Sequence, residues 1–210
     1  MKIFVKRYLK FIVLAILVFI FAFVVHELFD DKLTSFDENI HSFIMNFESS
    51  FMTETFKTIS FLSSPVFLII LSVFLFFIFR NKKYGLLSFC NLVFIVLLNQ
   101  LLKFVFERPR PSNWMLIEES GYSFPSGHAM VSAAFYGILI YLIWQTNIDK
   151  KYKKIWTIVL SILILLIGLS RIYLGVHYAS DIIAGFTISL SYVIVATTLI
   201  NYYLKHRKKN

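Results

Sequence analysis

Ile155 to Tyr173 reads Ile-Trp-Thr-Ile-Val-Leu-Ser-Ile-Leu-Ile-Leu-Leu-Ile-Gly-Leu-Ser-Arg-Ile-Tyr. As a helix this run reaches across the hydrocarbon core of a bilayer, which takes about 20 apolar residues. Lys150, Lys151, Lys153 and Lys154 precede it, and its only charge, Arg171, stands near its far end. Outward from it lie runs of the same kind: about Phe11 to Phe29, Ile59 to Phe79, Tyr84 to Leu102, Ala129 to Trp144 and Ile182 to Leu204. The chain of 210 residues is 58% hydrophobic with 24 phenylalanines, and its mean hydropathy is +0.74. Soluble domains hold about 45–50% apolar residues, so a water-soluble fold of this size is excluded. The expected class is all-α: a polytopic helical bundle with six transmembrane helices. It forms a single domain, residues 1–210, with its motif-bearing core in 84–204; no linker, repeat or low-complexity tract divides it.

The charges set the expected orientation. Lys2, Lys6, Arg7 and Lys10, then Arg80, Lys82 and Lys83, then Lys150, Lys151, Lys153 and Lys154, then Lys205, Arg207, Lys208 and Lys209 all fall on the side that holds both termini. Asp149 is the only acid there. Basic loops stay in the cytoplasm, so both termini are expected there. The net charge of +9 then serves topology and contact with anionic lipid headgroups, and no nucleic acid partner is expected. No small-residue cleavage pattern follows the first run, where Val24-Val25-His26-Glu27-Leu28 stands, so it reads as a retained anchor.

Between the first two spans, Leu33, Phe36, Ile40, Phe43, Ile44, Phe47 and Phe51 recur at three or four. This spacing predicts one amphipathic helix over residues 33–51 in the outer interface. It is either a packed loop helix without a catalytic role or a flap beside a portal for lipids. Cys90, the single cysteine, reads as a small core or lipid-facing residue.

Six basic residues break the charge rule: Lys32, Lys57, Lys103, Arg108, Arg110 and Arg171. Lys32 and Lys57 sit among acids and read as solvated. Lys103 closes the third span, Arg108 and Arg110 follow in Glu107-Arg108-Pro109-Arg110-Pro111, and Arg171 closes the fifth. A cation at the edge of a span is costly unless it snorkels or meets an anion. Phe124-Pro125-Ser126-Gly127-His128 stands before the fourth span, and His177-Tyr178-Ala179-Ser180-Asp181 before the sixth. With the orientation above, all these segments share the outer membrane level. A pocket holding Lys103, Arg110 and Arg171 specifies an anion, and guanidinium forks match phosphate oxygens. Ser126 and the N–H groups of Ser126, Gly127 and His128 at a helix start add donors, and Gly127 permits close backbone approach.

His177 and Asp181 are spaced i, i+4, so on a helix they share one face. A carboxylate there holds the imidazole Nδ1–H and leaves Nε2 to attack, as in the serine triads but with histidine as nucleophile. His128, on another helix, is then the general acid for the leaving oxygen. His26, His41 and His206 lack such a setting and read as interfacial or packing residues. For Arg108, beside the motif but outside it, a headgroup or a glutamate partner is expected rather than catalysis. Glu107, Glu118 and Glu119 form no cluster with metal-ligand spacing, so neither metal nor other cofactor is expected.

These residues form a pattern that resembles the type 2 phosphatidic acid phosphatase superfamily, the lipid phosphate phosphatases. Its first motif is matched by Lys103 with Arg110-Pro111, its second by Pro125-Ser126-Gly127-His128, and its third by Ser170-Arg171, His177 and Asp181. The motifs extend from Lys103 to Asp181 with no departure at a signature position. The resemblance implies a helical bundle with its phosphate pocket at the outer face. It implies a phosphohistidine on His177, with Asp181 orienting it, His128 as proton donor and Arg171 in the catalytic set. It further implies phosphate binding by Lys103, Arg110, Ser126, Gly127, Arg171 and Ser170. The partner is then a lipid phosphate or diphosphate drawn from the outer leaflet. The motifs read the phosphate and not the tail, which leaves undecaprenyl diphosphate, phosphatidylglycerol phosphate and phosphatidic acid as candidates. A small chain of bacterial type with an outward site favours the first two. The rival readings are a lipid phosphotransferase and an anionic-lipid transporter. Transport does not call for a His–Asp pair with a second histidine, and no inverted repeat of broken helices is visible. The sequence does not specify the oligomeric state.

Overall fold

The computed structural model describes residues 2–79 and 82–207, with side chains over 8–79 and 82–202. Arg80, Lys208 and Lys209 of the basic clusters lie outside the described residues. The order is α1 (Lys2–Phe29), α2 (Thr34–Met45), α3 (Ser50–Phe61), α4 (Pro65–Ile78), α5 (Lys82–Phe106), α6 (Gly127–Gln145), α7 (Lys150–Tyr173) and α8 (Ala179–Arg207). No strand occurs among the described residues. Five helices are long and apolar enough to cross a membrane, and a sixth span is counted if the bent pair α3–α4 is taken as one.

That pair is where the second expected span, 59–79, needs correction. The helix starts earlier, at Ser50, and breaks at Leu62-Ser63-Ser64 with a bend of 48°. Pro65 has no N–H to continue a ladder and disfavours helical backbone at the residue before it. Ser64 therefore caps a new helix, its Oγ accepting from the Phe67 N–H at 3.3 Å. The expected single helix over 33–51 is likewise divided. α2 stops at Met45, and the Ser49 hydroxyl accepts from the Met52 N–H to open α3. Tyr173 pins this break: its hydroxyl receives the Ser49 N–H and donates to the Ser49 carbonyl, each at 3.2 Å.

The face of α2 also differs from the apolar stripe in the sequence. Asp37, Ile40, His41 and Ile44 turn inward, whereas Phe36, Phe43 and Phe47 are exposed. The inward face packs on α7 and α8, and His41 stacks on Trp114 with ring centroids 4.1 Å apart.

α6 is the central helix and packs against α5, α7 and α8; α1 lies against α8 and α4 against α5. Met130, Ala133, Ala134 and Phe135 of α6 meet Ile95 of α5 and Ile167 of α7 in the main core. The small residues on α6 let neighbouring backbones approach, which is how helices associate where lipid tails are as apolar as leucine. The outward faces are apolar: Phe19 and Phe23 of α1, Phe74 and Phe77 of α4 and Leu165 of α7 are all exposed. This alternation brings the last turns of α5 and α7 and the first turns of α6 and α8 to one end of the bundle, closed over by α2 and the 107–126 connection.

Candidate active site

The third-motif turn is built around Gly175. Its φ of +68° is the left-handed conformation that glycine adopts at least cost, and a Cβ there would collide with the Trp114 carbonyl. The chain thereby ends α7, turns tightly through Val176 and His177, and enters α8. Asp181 is the third residue of α8, and its Oδ2 accepts from the Tyr178 N–H at 2.9 Å, as an acid does in a capping box. The same oxygen lies 3.3 Å from His177 Nδ1. His177 Nε2 faces Arg110 Nη1 at 3.3 Å. Because a guanidinium only donates, Nε2 is the accepting nitrogen and Nδ1 carries the proton toward Asp181. Burial first, and then the Arg171, Arg110 and Lys103 cations, hold the His177 imidazole well below its ordinary range. At neutral pH the ring is uncharged.

A pocket of about 250 Å³ lies before Nε2, bounded by Lys103, Arg110, Glu119, Gly127, His128 and His177. Its wall continues along the bundle through Pro65, Leu92, Val96 and Val131. Lys103 makes no ion pair among the described residues. Arg110 is fixed by the carbonyls of Ser120, Gly121 and Val176. Arg171 is buried, donates to Ser60 Oγ at 2.6 Å and to Glu119 Oε1 at 2.5 Å, and leaves its Nε without a hydrogen-bond partner.

The structure thus gathers Lys103, Arg110, Gly127, His128 and His177 around one cavity, with Arg171 and Asp181 directly behind. Ser126 and Ser170 do not line this cavity. The Ser126 hydroxyl caps α6 and its N–H donates to the Asp181 carbonyl at 3.2 Å. The Ser170 hydroxyl returns to Ile167 of its own helix. Within the protein Arg108 pairs with aspartates rather than with a glutamate. It bridges two carboxylates, Asp181 Oδ1 at 2.6 Å and Asp37 Oδ2 at 2.9 Å.

Four neighbours were not visible as site residues in the sequence. Asp37 is fully buried, and its one signal was an acid placed between Leu33 and Ile40 on an apolar stripe. Glu119, on a loop, and Ser60, in an apolar run, gave none. Asn99 holds the second motif by donating to the Pro125 carbonyl at 3.0 Å, and its Oδ1 lies where a Gly127 side chain would be. A buried asparagine one turn before Lys103 was a signal for it.

The fold and site define a multi-pass helical membrane protein with a cation-lined pocket beside a histidine–carboxylate pair. The chain belongs to the PAP2 superfamily, which it matches over residues 83–205; the phosphatases of this family are hydrolases. It is 34% identical over 164 residues to phosphatidylglycerophosphatase B of Bacillus subtilis (strain 168), covering 76% of this chain and 81% of that one. It is 31% identical over 113 residues to an undecaprenyl-diphosphatase of Sulfolobus acidocaldarius, covering 50% of each. Among solved structures, it resembles the crystal structure of the transmembrane PAP2-type phosphatidylglycerolphosphate phosphatase from Bacillus subtilis. That match has a TM-score of 0.84 at 29% identity and covers 90% of this chain and 96% of that one. These relatives are membrane lipid phosphatases.

Proposed function

We propose that this chain removes the terminal phosphate from a lipid phosphate or diphosphate through a phosphohistidine on His177, with undecaprenyl diphosphate and phosphatidylglycerol phosphate as the leading substrates. The observation that carries this reading is His177 itself. Its Nδ1 is turned to Asp181, and its neutral Nε2 opens on a cavity shared with Lys103, Arg110 and His128.

In this mechanism Lys103, Arg110, Arg171 and the N–H groups at the start of α6 hold the phosphoryl oxygens, with Gly127 leaving room for them. Ser126 supports them as the cap of α6, and Ser170 stands behind the wall. Nε2 of His177 attacks phosphorus as the bond to the lipid oxygen breaks, and His128 gives that oxygen a proton. Asp181 balances the positive charge that grows on the imidazole ring. Water then attacks the phosphohistidine with His128 taking its proton, the P–N bond breaks, and phosphate and neutral His177 are restored. No step of this mechanism calls on a metal.

The Lys/Arg distribution supports both termini in the cytoplasm, in the cell membrane, with the active site at the extracytoplasmic face and substrate drawn from the outer leaflet. The apolar wall of Pro65, Leu92, Val96 and Val131 suits the proximal part of a lipid tail. The test is purified protein in detergent against a panel of the candidate lipids, reading phosphate release and kcat/KM with and without chelator. Release of phosphate in detergent separates hydrolysis from transport. Activity that vanishes in chelator and returns with magnesium overturns the metal-free mechanism. A steady rate from His177→Ala overturns the nucleophile.

A further inference from the structure

Behind His177 runs a second layer of charge, outside the residues that line the cavity. Arg108 is 11% exposed and all its terminal nitrogens are engaged. Nη1 donates to Asp181 Oδ1 at 2.6 Å and to Ser180 Oγ at 2.8 Å, and Nη2 donates to Asp37 Oδ2 at 2.9 Å. The guanidinium carbon sits 3.9 Å from the centroid of the Tyr178 ring. Both Nη groups of Arg108 are thus committed to partners within the protein. Asp37, on α2, completes the set. Its Oδ1 accepts from the Ser180 N–H at 2.8 Å and its Oδ2 from the Ser180 hydroxyl at 2.7 Å. The Ser180 N–H is one of the first-turn amides of α8 that no carbonyl of that helix reaches.

We infer that Asp37 and Arg108 are positioning residues that act through Asp181, forming a relay Asp37–Arg108–Asp181–His177 that fixes the angle and charge of the carboxylate behind the nucleophile. This rests on the reading of His177 and Asp181 as the catalytic pair. Each oxygen of Asp181 has a separate task. Oδ1 is held by Arg108, which leaves Oδ2 to Tyr178 N–H and His177 Nδ1. A single guanidinium between two buried carboxylates fixes both, and Asp37 fixes the guanidinium in turn. If Arg108 is lost, Asp181 loses the anchor of Oδ1 and can turn about its remaining contact with the Tyr178 N–H, and His177 loses its register with phosphorus. A misplacement of about 1 Å costs on the order of 100-fold in rate.

The test is a double-mutant cycle in detergent with a lipid phosphate substrate. Arg108→Gln should lower kcat by about 100-fold while KM and the inhibition constant of inorganic phosphate stay within about threefold. Asp37→Asn, nearly isosteric, should lower kcat in the same manner by a smaller factor, and Arg108→Lys should recover part of the loss. In an Asp181→Asn background, Arg108→Gln should add less than about threefold, because its effect already runs through that carboxylate. A full additional loss in that background overturns the relay, as does a weaker grip on phosphate with kcat unchanged. Wild-type kinetics from both Arg108→Gln and Asp37→Asn overturn it as well. If Asp181→Asn alone keeps its rate, the catalytic pair itself is wrong, which is a separate result.

Discussion

Glu119 places a negative charge where a substrate phosphate is expected to bind. Its Oε1 takes the Arg171 Nη2 donor at 2.5 Å, and its Oε2 lies 3.7 Å from Arg110 Nη2. A phosphate that takes the same N–H must displace the first contact. A charge-assisted hydrogen bond contributes about 1.5–3 kcal/mol net. Glu119 is 29% exposed, so the lower end applies, and the longer contact to Arg110 adds about nothing once solvent screens it. Glu119→Gln should therefore tighten inorganic phosphate by about 1.5 kcal/mol, or roughly tenfold in its inhibition constant. The assay is product inhibition of lipid phosphate hydrolysis by added phosphate, with wild type and variant in the same detergent. Lipid KM should fall in the same direction. The sign is the decisive feature. If Glu119 instead serves to aim Arg171, the variant will bind phosphate more weakly. An unchanged or larger inhibition constant refutes competition between the carboxylate and the phosphoryl group.

His177→Ala should abolish turnover, and acid-quenched wild type incubated with substrate should carry a phosphoryl label that the variant lacks. Asp181→Asn should keep phosphate affinity within about threefold and lose most of kcat, read as a split between KM and kcat. Burial and neighbouring cations hold His177 low, so the nucleophile stays unprotonated, and its contribution to kcat/KM stays flat, to well below pH 6.5, its usual midpoint. Arg110→Gln removes one of those cations, and the acid limb should move to higher pH; a move to lower pH contradicts the assigned cause. Gly175→Ala places a side chain at φ +68° against the Trp114 carbonyl and should lower the unfolding midpoint in detergent, at a cost of about 1–3 kcal/mol or more.

The spans and the meeting of three motifs were legible because each rests on a local rule. An apolar run of about 20 residues needs no partner to be recognised, and helices that alternate in direction carry their ends to one of two levels. Lys103, Arg110, His128, His177 and Asp181 came together on that reasoning alone. The supports were not legible, because each depends on a contact that topology does not specify. Asp37 reaches Ser180 across 143 positions of sequence, and Ser60 reaches Arg171 across 111. The division of residues 33–51 at Asn46 to Ser49 turned on a serine cap and the Tyr173 hydroxyl, whereas apolar spacing continued through it. The same spacing gave a stripe and not its aim, so Phe36 and Phe43 turned outward while Asp37 turned in. Pro65 was a visible breaker, yet its surroundings were apolar enough to read as one continuous span.

Asp37 and Ser60 both precede residue 83, where the match to the superfamily begins. A transplant of the matched segment into a foreign scaffold would carry His128, His177, Asp181 and the cations Lys103, Arg110 and Arg171. It would leave behind the carboxylate that steadies Arg108 and the hydroxyl that steadies Arg171. A chimera of this protein should therefore be cut upstream of α2, because the graftable unit is longer than the signature that identifies it.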